Sequence, residues 1–221
     1  MQRSDEQIAR DIREQLAFNK RLDGSDLQVD VSNGHVALSG AVPSYPARTA
    51  AEKDARIISG VQSVENGIRV EPPTEQPAVP TDGEIQAAVE RLLVQAPDVN
   101  IRDLSLSVNS GEVVLEGSVD HLWKKLRAGE VAGMAAGVRA IHDHLVVVPS
   151  DSVMDRVIGE GIEAALDRME PVEAEAVDVE VKDGVVRLTG SVPNQTSLIS
   201  AEEAARHSEG VIEIYNELRV Q

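Results

Sequence analysis

The chain repeats itself three times without a gap, and that period constrains what it can fold into more than any other feature. Val36-Ala37-Leu38-Ser39-Gly40 recurs as Val113-Val114-Leu115-Glu116-Gly117, 77 residues later, and as Val186-Arg187-Leu188-Thr189-Gly190 after a further 73 residues. The same offsets superpose residues 5–70, 82–147 and 155–220, from Asp5, Asp82 and Asp155 at one end to Val70, Val147 and Val220 at the other. A fixed period of this length means one supersecondary unit copied three times. Each residue can therefore be judged against its two counterparts. The boundaries are a first module over 1–71, a linker over 72–81, a second module over 82–148, a short linker over 149–154 and a third module over 155–221. Pro72, Pro73, Pro77 and Pro80 make the first linker a stiff extended spacer, and the second linker is short enough to be a tight joint.

Inside one repeat the hydrophobic period changes, and the changes separate helix from strand. Ile8, Ile12 and Leu16 recur every four residues, as do Ile85, Val89, Leu93 and Ile158, Ile162, Leu166, so each repeat opens with an amphipathic helix. Asp5 and Asp82 stand where an N-cap or first-turn acid would help that helix. Leu27, Val29 and Val31 then alternate with polar residues, Asn33-Gly34 suits a type I′ turn, and Val36 and Leu38 resume the alternation. Ser110-Gly111 and Asp183-Gly184 fill the same turn, so Gly34, Gly111 and Gly184 are expected at positive φ. A second helix presents Ala51 and Ala55, Ala128 and Ala132, or Ala201 and Ala205 on its inner face, and Gly60, Gly137 and Gly210 are expected to cap its end. An alternating strand, Val64 to Val70 in the first repeat, closes the unit. Since Gln28, Asp30, Ser39, Glu65 and Arg69 make one sheet face polar, both helices must cover the other. The fold class is α+β: three tandem two-layer α-β-β-α-β modules, each a three-stranded mixed sheet with two helices on one face.

Charge and composition then narrow the function. With 38 acidic against 21 basic side chains, a net charge of −17 repels phosphate backbones, which argues against nucleic acid as a partner. Only Phe18, Tyr45, Trp123 and Tyr215 are aromatic, too few for a base-stacking platform, and the absence of cysteine excludes disulfides, thiolate metal sites and cysteine nucleophiles. No uncharged run approaches the ~18–20 apolar residues of a membrane span. The first twenty residues carry eight charges and no signal-like segment, so the expectation is cytoplasmic as the sequence stands and periplasmic if the N-terminus has been trimmed.

The pattern as a whole, namely helix, hydrophobic-x-Val, Asn/Asp-Gly, Val-x-Leu-x-Gly-x-Val, Ala-rich helix, Gly-Val, then Val-x-Asn-x-Leu-x-Val, resembles three tandem BON domains, the bacterial osmotically inducible Y-type and nodulation family. The resemblance covers nearly the whole chain. It implies a module without known catalysis, found in stress-induced and envelope-associated bacterial proteins and proposed to bind phospholipid surfaces or other partners. Members similar to the osmotically inducible type are usually periplasmic and carry a signal peptide, a point on which this sequence differs.

Candidate chemistry is sparse. His142 and His144 are spaced to share a metal ion with a third ligand such as His121, yet their counterparts are Glu65 and Gly67 or Tyr215 and Glu217, which reads as an exposed strand face. Gly159-Glu160-Gly161 lies inside the first helix of the third repeat, the wrong place for a phosphate-binding turn. No residue is assigned as catalytic, metal-binding or cofactor-binding, and no enzyme activity is expected. His121, Trp123, Lys124, Lys125 and Arg127 form the single basic and aromatic cluster, a candidate patch for a membrane or partner. The plainer alternative places Trp123, like Tyr45, partly buried over the sheet edge among ordinary surface lysines. Gly129 and Gly133 replace the Glu52 and Arg56, or Glu202 and Arg206, of the sister repeats, and such glycines in a helix cost up to about 1 kcal/mol each. They mark a candidate packing face for a neighbouring module or a second copy. The expected function is that of a non-catalytic tandem binding or scaffolding protein of the bacterial stress response, acting on a phospholipid surface, a protein partner or itself. The alternative is a stress chaperone that holds unfolded or envelope-bound clients.

Overall fold

A computed structural model describes residues 3–22, 25–72, 80–97, 99, 102–150, 153–168 and 177–220. The central part of the proline-rich linker, residues 73–79, lies outside them, and so does the middle of the joint before the third repeat, residues 151–152. The chain falls into two compact units, one of Met1–Pro97, Ser105–Leu115 and Gly129–His144, the other of Asp98–Leu104, Glu116–Ala128 and Leu145–Gln221.

In the first repeat, α1 (Asp5–Phe18) starts from a reciprocal capping box: Gln7 N donates to Ser4 Oγ and Ser4 N to Gln7 Oε1. Ile8, Ile12 and Leu16 line its buried face. After a single 3-10 turn over Lys20–Leu22, β1 (Leu27–Ser32) and β2 (His35–Val42) form an antiparallel hairpin paired from Leu27↔Gly40 to Ser32↔His35. Asn33 and Gly34 turn it with φ of 51° and 77°, a backbone of the I′ kind whose twist matches the strands. The helix α2 (Tyr45–Arg56) begins at Ser44 and buries Ala47, Ala51 and Ala55. Because a helix separates them, the strands that return, β3 (Ser63–Asn66) and β4 (Arg69–Val70), pair parallel to β2 on its free side. The core is aliphatic: Ile8, Ile12 and Leu16 meet Val29, Val36, Leu38, Val42, Ile68 and Val70 beneath the alanines of α2. Each fully buried Ile or Leu contributes about 1.5–3 kcal/mol relative to exposure. Gln28, Asp30, Glu65 and Arg69 are exposed on the other face.

The second repeat runs α3 (Asp82–Gln95), β5 (Arg102–Asn109), β6 (Glu112–Val119), α4 (Leu122–Gly133) and β7 (Ala140–Val147), with sheet order β5-β6-β7. The third runs α5 (Asp155–Leu166), β8 (Val177–Lys182), β9 (Val185–Val192), α6 (Gln195–His207), β10 (Glu213–Asn216) and β11 (Arg219–Val220). Its hairpin is antiparallel, its last two strands are parallel to β9, and its core again joins Ile158, Ile162 and Leu166 to Ala201 and Ala205.

Two expectations need correction. The closing strand is continuous only in the second repeat. In the first, Asn66 Oδ1 accepts from Ile68 N and Gly67 N turns to Leu38 O, which breaks the ladder into β3 and β4; Asn216, Leu218 and Glu217 do the same in the third. The glycines after the second helix are not its caps either. The helix α2 ends at Arg56 with Ile57 as cap and α6 at His207 with Ser208, while Gly60, Gly137 and Gly210 lie further on, at φ of 95°, 92° and 85°. A Cβ there would stand 2.8, 2.8 or 2.9 Å from Cδ1 of Ile8, Ile85 or Ile158, so these glycines let the loop lie directly on the first helix.

Candidate functional site

The residues that all three repeats share turn out to hold the module together. The carboxylate of Asp5 accepts from the turn amides of Asn33 at 2.8 Å and Gly34 at 3.0 Å. Asp82 accepts from Ser110 and Gly111 at 2.8 and 2.9 Å, and Asp155 from Asp183 and Gly184 at the same two distances. The caps proper are Ser4, Thr81 and Met154, so the aspartate is the first helical residue and its side chain reaches sideways to the hairpin. From the other side, the carbonyls of Gly34, Gly111 and Gly184 accept from Gln62, Arg139 and Ile212 at 2.8, 2.9 and 3.0 Å. Helix start, turn and returning strand are thus tied at one point. Gly34 has φ +77°, Gly111 +78° and Gly184 +77°.

A second polar assembly appears in the first and third repeats alone. Arg56 and Asn66 both hold Glu52, at 2.8 and 3.1 Å, and Arg206 and Asn216 hold Glu202 at the same distances. The second repeat has Gly129, Gly133 and Asp143 at these three places. Gly133 is buried, and a Cβ on it would come within 2.7 Å of Tyr45 Cε1. A Cβ on Gly129 would meet nothing within 4 Å. Beside them Lys53 Nζ lies 2.8 Å from Glu130 Oε1.

The aromatic and basic cluster opens α4. Trp123 is half-buried and stacks on His207, with ring centroids 6.2 Å apart and planes at 16°, while His121 lies tilted against it at 6.2 Å. The indole is thus partly buried, with one imidazole stacked on it and another tilted against it. Lys124 holds its ammonium 5.5 Å from the indole centroid and 2.7 Å from Asp120 Oδ1. Burial pushes Asp120 up, but hydrogen bonds from Lys124 and His121, aided by their charges, hold it at about 2. Lys125 and Arg127 are half-buried on the same helix. His142 and His144 are exposed, and His142 Nε2 is 3.2 Å from Glu112 Oε2. Among the described residues no helix is long and apolar enough to cross a membrane.

A two-layer α-β-β-α-β unit, clamped by one aspartate and repeated in tandem, defines a class. The BON domain model matches residues 4–72, 81–149 and 155–221, and the chain belongs to the BON domain family. Among its relatives is the osmotically-inducible protein Y of Escherichia coli, 31% identical over 146 residues that make up 63% of this chain and 73% of the relative. Two solved structures align over most of their length. One is the C-terminal domain of CdsD, the structural protein of the type III secretion system of Chlamydia trachomatis, at 13% identity and a TM-score of 0.27 over 96% of each chain. The other is the periplasmic domain of the type III secretion inner membrane protein PrgH from S. typhimurium, at 10% identity and a TM-score of 0.22 over 88% of this chain and 93% of that one. The family assignment does not lean on either.

Proposed function

We propose that the chain is a non-catalytic binding protein of the osmotic or envelope stress response whose ligand is a phospholipid surface. The observation that carries this reading is the 31% identity to osmotically-inducible protein Y together with three matches to one family model. Locally, Trp123 with Lys125 supplies an amphipathic edge on α4, whereas Lys124 is already neutralised by Asp120 and drops out of the patch. At a net charge of −17 such a patch acts only at short range, within about one Debye length, roughly 8 Å at physiological salt. The test is flotation of the full chain with phosphatidylcholine vesicles, plain or mixed with phosphatidylglycerol. Co-flotation with the anionic vesicles that is lost in Trp123→Ala/Lys125→Glu supports the reading, and failure to float with either sinks it.

A second reading, as a holder of unfolded clients, is favoured by Phe18 and Val94, which are 86% and 85% exposed at the ends of α1 and α3. The third repeat has Asp167 and Arg168 in the corresponding positions. Suppression of a denatured reporter's aggregation, without flotation and lost in Phe18→Ser/Val94→Ser, would select it.

A further inference from the structure

We propose that the second repeat has exchanged an internal polar triad for a receptor that takes one side chain, Tyr45 of the first repeat, and that this contact specifies which repeat packs beside which. The exchange shows in three positions at once. In the first and third repeats Glu52 or Glu202 is held by an arginine one helical turn later and by an asparagine from the closing strand. The glutamate is the hub of each triad, since both the arginine and the asparagine donate to it, so its loss removes both of these bonds at once. The second repeat loses all three together, to Gly129, Gly133 and Asp143.

The vacated ground is occupied. Tyr45 lies against the backbone of Gly133, where even a methyl group would sit within 2.7 Å of Cε1, and Ile141 Cδ1 closes the other side at 3.3 Å from the same point. Burial raises the pKa of the Tyr45 phenol; Arg48 opposes this, and the nearby Glu52 and Asp143 add to it. Lys53 and Glu130 bridge the contact at its rim. Key and lock each occur once among the repeats. The position of Tyr45 is Leu122 or Gln195 elsewhere, and that of Gly133 is Arg56 or Arg206. An arginine there would collide with the ring, so the wrong pairing is excluded by a clash as well as by a missing contact.

A double-mutant cycle in the full chain tests this. Gly133→Ala should lower the melting temperature of the native chain because its methyl displaces Tyr45, yet raise it in a Tyr45→Ala background, where alanine's better helix propensity outweighs the contact with the movable Cδ1 of Ile141. The same sign in both backgrounds overturns the proposal. The second arm rebuilds the triad with Gly129→Glu/Gly133→Arg/Asp143→Asn in a Tyr215→Phe chain, whose one remaining tyrosine is Tyr45. Nitration of Tyr45 should become several-fold faster while the far-ultraviolet circular dichroism is unchanged; protection equal to that of the parent chain refutes the receptor. If the triple variant fails to fold, the Gly133→Ala cycle still decides.

Discussion

Replacing Asp5 with alanine removes two hydrogen bonds at one stroke, and the cost can be worked from where their donors lie. The Asn33 amide is in an exposed turn, so water takes over much of what the carboxylate supplied there. The Gly34 amide is part-buried, with the residue itself buried, and its loss is the larger. Hydrogen bonds to charged groups contribute about 1.5–3 kcal/mol when sheltered, and half-exposed ones less, so Asp5→Ala should cost the first repeat about 1–2 kcal/mol. For a domain of this size that lowers its melting temperature by about 4–16 °C. Asp5→Asn should cost nearly as much, since one oxygen becomes an NH2 facing a backbone N–H. Calorimetry of the full chain carrying Asp5→Ala, Asp82→Ala or Asp155→Ala singly, with Asp30→Ala as an exposed control, provides the measurement. A loss no greater than the control's in all three would refute the clamp as a stabilising device.

Met154 offers α5 no side-chain cap where Ser4 and Thr81 complete boxes with Gln7 and Glu84, so Met154→Ser/Val157→Gln should stabilise the third repeat by about 0.5–2 kcal/mol, seen as a rise in its thermal transition. Asp120, held at about 2 against an ordinary 3.8, stabilises the fold fully above the higher value and loses that contribution as pH falls toward the lower. Asp120→Asn should therefore flatten the acid end of the stability profile between those values and release Lys124; an unchanged acid slope would count against the pairing.

The helices and hairpins were legible because their hydrophobic periods differ and because three copies agree. The clamp was harder to see. Asp5 joins backbone amides 28 and 29 residues away, and backbone amides carry no sequence signature. A hint was nonetheless present: the capping position varies as Ser4, Thr81 and Met154 while the aspartate after it does not, which argues that the acid serves something other than the cap. The break in the closing strand leaves no mark on the sequence, because Asn66 alternates as a strand residue would, and the ladder is interrupted by its side chain's bond to Ile68 N and the turn of Gly67 N to Leu38 O. At the second helix, the loss of Glu52 and Arg56 was visible as two glycines, but the third change, Asn66 to Asp143, sits on another element and becomes a partner to them only in three dimensions.

The central strand of each repeat has its two neighbours supplied at very different moments of synthesis. In the first repeat β1 precedes β2 and can pair with it as soon as Val42 has left the ribosome, whereas β3 and β4 arrive with residues 63–70. Until then the open side of β2 is an unpaired template for any extended chain nearby. A nascent repeat is therefore closed only by its last strands, and a chain stalled or cut before Ser63, Ala140 or Glu213 would leave the ribosome with that side of the sheet uncovered. Tandem repetition limits the exposure to one strand at a time, since each repeat can seal itself before the next has been made.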